Sequence, residues 1–228
     1  MKKIGVVIQA RMNSSRLKGK TLKYLDDKTL IEWIIKRLKK TKIKNIFLAT
    51  GNLKENLELK KICNKERIIF FKGSESNVLD RFYNVSKQYK LDAVIRVCAD
   101  NPFIDSKEIN LLIKDFKKYS EMDYFFNHRN YQKITYADGF GAELIKFSTL
   151  KRLHQTVKDK YHKEHVTSWI WNNQNLFKMM PSKTNISKKY HHIVCDINNL
   201  NDYKKIKNFI KEKKISLNFN SNKISKLF

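Results

Sequence analysis

Ile4-Gly5-Val6-Val7-Ile8-Gln9-Ala10-Arg11-Met12-Asn13-Ser14-Ser15-Arg16-Leu17-Lys18-Gly19-Lys20 is the stretch that decides the fold. The run Ile4 to Ile8 has the pattern of a strand buried on both faces of a parallel sheet, and it empties into a polar loop rich in cations and hydroxyls. In open α/β sheets the chain leaves a central strand through a crevice at the strand's carboxyl end, and that crevice is where such folds bind ligands. Arg11, Arg16 and Lys20 are therefore expected to face it. Two guanidinium groups can grip phosphate oxygens through paired N–H donors and a lysine adds a mobile point charge, so the set suits a triphosphate better than one carboxylate. A solvated basic loop in a lysine-rich chain is the alternative reading. Gly19-Lys20-Thr21 is not the tail of a Walker-type phosphate loop, because Ser14 stands where that motif needs glycine.

Working outward, strand and helix patterns alternate. Thr29-Leu30-Ile31-Glu32 reads as a capping box opening a helix to about residue 40, with Leu30, Ile31, Ile34, Ile35 and Leu38 as its apolar stripe. Strands are expected at 45–50, 68–71 and 93–98, with helices at 54–64 and 76–89 between them. Such alternation predicts an α/β fold: a mostly parallel sheet with helices on both faces and, through right-handed crossovers, all strand carboxyl ends on one rim.

The second half is less regular. A helix is expected from Asp105-Ser106-Lys107-Glu108 to about 119, and strands at 124–126, 132–136 and 142–147. Helices follow at 148–158 and 163–173, then a strand at 193–195 and a last helix at 200–211. The tail from Glu212 to Phe228 is weakly patterned. With no repeat or low-complexity linker, the reading is one domain, 1–228, carrying a less regular lid or acceptor region at about 122–190.

At 228 residues the chain can bury roughly 70 to 75 % of its unfolded surface. No apolar run approaches the ~20 residues that cross a bilayer, and the start lacks the pattern of a signal peptide. Cys63, Cys98 and Cys195 are odd in number and far apart, which fits a reduced, cytoplasmic protein better than a disulfide framework or a metal site. The net charge of +26 raises a nucleic-acid or anionic-membrane partner. Yet the excess is almost all lysine, with eight arginines, and is spread along the chain. That argues for compositional bias over an ordinary fold, with nonspecific binding to polyanions at low salt.

Asp100 follows the strand at 93–98 in Arg96-Val97-Cys98-Ala99-Asp100-Asn101-Pro102. A carboxylate at a strand's carboxyl end, on the same rim as Arg11 and Lys20, is a reasonable Mg²⁺ ligand; a turn-former or helix cap is the plainer reading. Asp196, after His192-Ile193-Val194-Cys195, reads by itself as a partner for a helix dipole. The six histidines lie between His128 and His192, but His162-x-x-His165 is too poor in further ligands for a zinc site.

Gln9-Ala10-Arg11-Met12, Ser15-Arg16-Leu17 and Gly19-Lys20 resemble, in order and spacing, the opening loop of the cytidylyltransferases that activate acidic sugars, the branch of SpsF-like spore-coat proteins and CMP-KDO synthetases. Lys18 replaces the family's usual proline. Asp100 and Pro102 match its Asp-x-Pro, with Ala99 in place of glycine, and Asp196 matches its second metal-binding aspartate. Lys72-Gly73-Ser74 leading into Val78-Leu79-Asp80-Arg81 resembles its Gly-Ser loop and following helix start.

The resemblance implies a Rossmann-like nucleotide-diphospho-sugar transferase fold. It implies an enzyme that moves CMP from CTP to a small acidic sugar and releases pyrophosphate, in surface polysaccharide or glycan biosynthesis. Catalysis falls to Arg11, Lys20 and Asp100. Nucleotide contacts fall to Gln9, Ala10, Arg11, Ser15, Arg16, Lys20, Thr50, Gly73, Ser74 and Arg81. Mg²⁺ falls to Asp100 and Asp196, and the acceptor pocket to Asp138, Glu143 and His165. A homodimer is left open. The rival enzyme is a glycosyltransferase of similar fold, but such enzymes usually carry Asp-x-Asp, which this chain lacks. A basic nucleic-acid-binding protein is the rival of another class, and no groove-reading helix or aromatic RNA platform supports it.

Overall fold

Alternate residues of β1 (Ile4–Gln9) enter two different cores: Ile4, Val6 and Ile8 pack on one face of the sheet and Val7 on the other. The apolar run is unbroken because neither face meets water. The structure, a computed structural model, describes residues 2–14 and 16–228, so Ser15 lies outside the described residues.

Three helix–strand units follow β1. α1 (Leu30–Leu38) leads to β2 (Ile46–Thr50), α2 (Leu57–Lys65) to β3 (Ile69–Lys72), and α3 (Val78–Gln88) to β4 (Ala93–Cys98). These four strands are parallel, in the order β3-β2-β1-β4. The sheet continues through β6 (Glu143–Lys146), antiparallel to β4, then β5 (Tyr124–Phe126) and the edge strand β7 (Met179–Pro181). Three of the seven strands thus come from the stretch 122–190.

Helices cover both faces. The first core takes side chains from α1, α2, α4 (Ser106–Lys118), α8 (Leu200–Glu212) and α9 (Ser221–Ser225). The second takes them from α3, α5 (Phe147–Thr156) and α7 (Ser168–Asn172). The capping box is present: the Glu32 amide donates to Thr29 Oγ1 at 3.4 Å and the Thr29 amide to Glu32 Oε2 at 3.0 Å. Burial opposes ionisation of Glu32, but hydrogen bonds from Lys65 and Thr29 outweigh it and hold the carboxyl down at about 2.

The expected strand at 132–136 does not form. Tyr131 and Ile134 close a tight turn on each other, and Gln132 at its tip has φ 51, outside the extended region. Nor does 193–195 build a ladder; it makes a single parallel bridge, Val194 to Asp138. The helix expected at 163–173 is two, α6 (Lys160–Glu164) and α7, parted at His165, whose φ −101 and ψ 70 leave the helical region. The one expected at 54–64 starts as a 3₁₀ turn, Lys54–Asn56, before α2. The weakly patterned tail is packed by Ile215 and Ile224 and pinned by buried Arg37, which donates to the carbonyls of Ile104 (2.8 Å) and Phe219 (3.0 Å). Among the described residues no helix is long and apolar enough to cross a membrane.

Candidate functional site

The carboxyl ends of β1 and β4 adjoin, with Gln9 paired to Cys98 in register, and the loops leaving them open a crevice of about 240 Å³. The Ala99 amide donates to the Gln9 carbonyl at 3.1 Å and the Ala10 amide to the Ala49 carbonyl at 3.3 Å, so both loops start as continuations of the sheet. The loop after β1 is then folded back on itself. Asn56 Oδ1 accepts from the Met12 amide at 2.9 Å, and the Met12 carbonyl accepts from the Gly19 amide at 3.0 Å. Gly19 sits at φ 66, a left-handed turn that brings Lys20 back over the rim. Lys18, where a proline was the expectation, precedes this turn.

Arg11, Arg16 and Lys20 all line the crevice, as do Gln9 and Ala10. Arg11 Nη2 lies 2.7 Å from Glu164 Oε1 on α6, across the opening. Lys20 Nζ donates to Asp100 Oδ2 at 3.0 Å and to the Ile197 carbonyl at 3.0 Å. Ile197 in turn donates its amide to the Asp100 carbonyl at 2.9 Å, which binds the segment around Asp196 to the loop after β4.

Asp100 and Asp196 converge on one amide. With its Nδ2 turned toward them, Asn101 donates to Asp100 Oδ1 at 2.9 Å and to Asp196 Oδ1 at 3.0 Å. Burial, then the charges of Asp138 and Asp100, push the Asp196 carboxyl up to about 8. Asp138 is raised as well, chiefly by burial. This crowding of like charge in a poorly hydrated place favours a bound cation. Gly139, at φ 90, permits it: a Cβ there would lie 2.8 Å from Cys195 Cβ, so only glycine lets the Asp138 loop come this close. Ala99 carries no strain, because it is not among the non-glycine residues with positive φ.

Other expected site residues lie further back. Thr50 is fully buried at the end of β2, and its carbonyl accepts from the Gly73 amide at 3.0 Å. Ser74 Oγ accepts from the Asn77 amide at 3.0 Å, fixing the turn before α3. Neither Gly73 nor Ser74 lines the crevice, but Gly73 packs against the Arg81 side chain, and Arg81 does line it. Arg81 is 1 % exposed, with one long bond, 3.4 Å, to the Ala49 carbonyl and an Nε that has no partner.

His165 reaches the crevice wall. Glu143 does not: it is 1 % exposed, and both its oxygens are engaged by the protein. Arg96 Nη1 and Thr167 Oγ1 (3.3 Å) donate to Oε1, and the Tyr124 hydroxyl donates to Oε2. Trp171 Nε1 backs the tyrosine at 3.1 Å. The expectation that Glu143 faces an acceptor is corrected accordingly: the carboxylate is buried, lines no part of the crevice and is turned to the protein's own donors. Asp138 is likewise away from the crevice wall, its Oδ1 accepting from the Gly139 amide at 2.8 Å.

Sequence reasoning missed Arg96 as a crevice residue. Arg96 carried a signal: it is the one charged residue in the apolar strand Ala93–Cys98.

Among the described residues no group of three or more His, Cys, Asp or Glu makes a metal cage. A hard divalent ion that completes its shell with phosphate oxygens needs no such cage, and the Asp100 and Asp196 oxygens suit Mg²⁺.

The sequence pattern of one family, described as cytidylyltransferase, matches residues 5–224. An uncharacterized protein of Methanocaldococcus jannaschii is 36 % identical over 205 residues, 90 % of this chain and 81 % of that one. The spore coat polysaccharide biosynthesis protein SpsF of Bacillus subtilis is 31 % identical over 187 residues, 78 % and 74 % of the two chains. The solved structure of a cytidylyltransferase from Leptospira borgpetersenii superposes with a TM-score of 0.89 at 26 % identity, covering 100 % of this chain and 92 % of that one. With the fold, the crevice at the strand ends and the match along nearly its whole length, the chain belongs to the cytidylyltransferase family and is a nucleotidyltransferase enzyme.

Proposed function

We propose that the enzyme transfers CMP from CTP to a hydroxyl of a small acidic sugar and releases pyrophosphate, in surface polysaccharide or glycan biosynthesis. The observation that carries this reading is the meeting in one crevice of the loop cations Arg11, Arg16 and Lys20 with Asp100, itself laced to Asp196. In this reading the acceptor oxygen attacks the α-phosphate in line and the β- and γ-phosphates leave together. Arg11, Arg16 and Lys20 hold the triphosphate and neutralise charge that grows on the departing pyrophosphate. Gln9 and Ala10, on the rim, fix where the nucleotide lies, and Arg81 with the Gly73–Ser74 turn supports it from α3. Ser15 completes the set in the proposal. Asp100 and Asp196 would hold Mg²⁺, which supplies charge neutralisation on the phosphates and a template for their orientation. Positioning carries much of the rate, because little covalent chemistry is asked of the protein.

The polysaccharide role of SpsF supports the pathway, and His165 on the opposite wall supports an acceptor site beside the nucleotide. Incubation with CTP, Mg²⁺ and a panel of sugar acids should release pyrophosphate and form an equal amount of CMP-linked product. Cleavage of an added nucleotide-sugar, with no pyrophosphate from any acid, would instead establish the glycosyltransferase reading.

A further inference from the structure

We propose that Arg96 recognises the carboxylate of the acceptor; this rests on the reading above and names the residue that makes the acceptor an acid. Three observations carry it.

The first is which side of the crevice Arg96 occupies. Alternation along β4 puts it on the face of Val94, in the second core, whereas Lys20 and Asp100 are tied to Ile197 of the first core. In register it pairs with Val7 on one side and Glu143 on the other, two residues inside the sheet from the rim pair Gln9 and Cys98. It therefore reaches the crevice from inside the sheet, between β1 and the β6 strand of residues 122–190, and shares the lining with Glu164 and His165.

The second is how firmly the guanidinium is aimed. Its Nε donates to Gln9 Oε1 at 3.1 Å and its Nη1 to Glu143 Oε1, and Glu143 is itself fixed by Tyr124 and Thr167. Gln9 and Glu143 act here as positioning residues. A guanidinium held at two nitrogens has lost its rotamer freedom before any ligand arrives, which lowers the cost of binding.

The third is what is left over. Among the described residues Nη2 has no acceptor, although the side chain is 15 % exposed and lines the crevice. Both Nη2 hydrogens and the second Nη1 hydrogen are left to donate, and such in-plane N–H groups are what a guanidinium offers to the two oxygens of a carboxylate. Arg96 thus has a structural half, turned to Gln9 and Glu143, and a free half turned to the crevice.

The test uses the full chain, its R96Q and R96K variants, CTP with Mg²⁺, and three probe acids, glucuronate, N-acetylneuraminate and 3-deoxy-manno-octulosonate, each beside its uncharged carboxamide. Calorimetry measures CTP affinity, pyrophosphate release gives acceptor KM and kcat, and ¹⁵N side-chain NMR follows the Arg96 Nε resonance. R96Q should keep CTP affinity within about twofold, raise acceptor KM about 10- to 100-fold, and lose the preference for acid over carboxamide. R96K, which keeps the charge without the fork, should fold and fall between. Loss of CTP affinity by about tenfold in R96Q would overturn the proposal by making Arg96 a nucleotide ligand. An unchanged preference for acid would overturn it by making the residue structural. If wild type binds CTP but turns over none of the acids, the transferase reading fails separately. Arg96 is then judged by NMR, where a resonance moved by the acids and not by the carboxamides supports it, and one moved by neither overturns it.

Discussion

The two walls of the crevice handle charge in opposite ways. On the phosphate-loop side Arg11 pairs with a half-exposed Glu164, and Lys20, itself only 12 % exposed, pairs with Asp100, whose carboxylate still reaches solvent. On the other side Arg96 and Glu143 are paired inside the core under Tyr124, Thr167 and Trp171. In the first arrangement the carboxylates keep solvent contact, so a cation can turn to an incoming anion at little cost to the fold. The second spends folding energy to fix a side chain, so the fold itself depends on it. Substitutions on the two walls should therefore separate binding from stability.

The largest effect is expected from Glu143→Ala. It strands the Arg96 guanidinium in a site only 15 % exposed and leaves Tyr124 and Thr167 without their acceptor. Removing one partner of a buried pair costs about 3 to 5 kcal/mol, and urea denaturation should show that loss. A change below about 1 kcal/mol, as for an exposed pair, would erase the contrast between the walls.

Lys20→Ala is the counterpart. It should lower CTP affinity by about 1.5 to 3 kcal/mol, the worth of a hydrogen bond to a charged group, with circular dichroism and melting nearly unchanged. An unfolded variant would mean that the bonds from Lys20 to Asp100 and Ile197 hold the rim together and that its role is structural.

Smaller still, Thr29→Ala removes the cap of α1, a helix that packs against the turn Lys20–Leu22 but lines no part of the crevice. About 1 kcal/mol of stability should go, read from the denaturation midpoint, and CTP affinity should stay as it was. An altered affinity would mean that the packing of α1 on the turn Lys20–Leu22 sets the geometry of the nucleotide wall.

The same contrast governs what could be read from the sequence. β1 to β4 and their helices were legible because strands buried on both faces are continuous apolar runs, and because Thr29 and Glu32 announce a helix start. The half after Asp105 was less so. β7 is Met179–Pro181, neither β-branched nor aromatic, and is tolerated only because it lies at the sheet edge. The turn at Gln132 rests on a positive φ that its residue type does not advertise.

Within the site, Arg11, Arg16, Lys20 and Asp100 were legible as polar residues placed just after apolar strands. Glu143 was misplaced because its partner, Arg96, is 47 residues away and meets it only through the β4–β6 register. Thr50, Gly73 and Ser74 came from the resemblance, and the structure puts them behind the crevice wall rather than on it. Ala99 shows the reverse: its cost depends on a backbone angle that the sequence could not supply.

The central claim is that the crevice binds CTP through its loop cations and through a metal held by Asp100 and Asp196. Thermal unfolding with CTP in the presence of Mg²⁺ or of EDTA tests it most directly. At about 100 times its dissociation constant, CTP with Mg²⁺ should add ~2.7 kcal/mol of stability, and clearly less with EDTA or in Asp100→Asn. Equal stabilisation with and without metal would contradict the assignment of the two aspartates, and no stabilisation by CTP under either condition would contradict the nucleotide site itself.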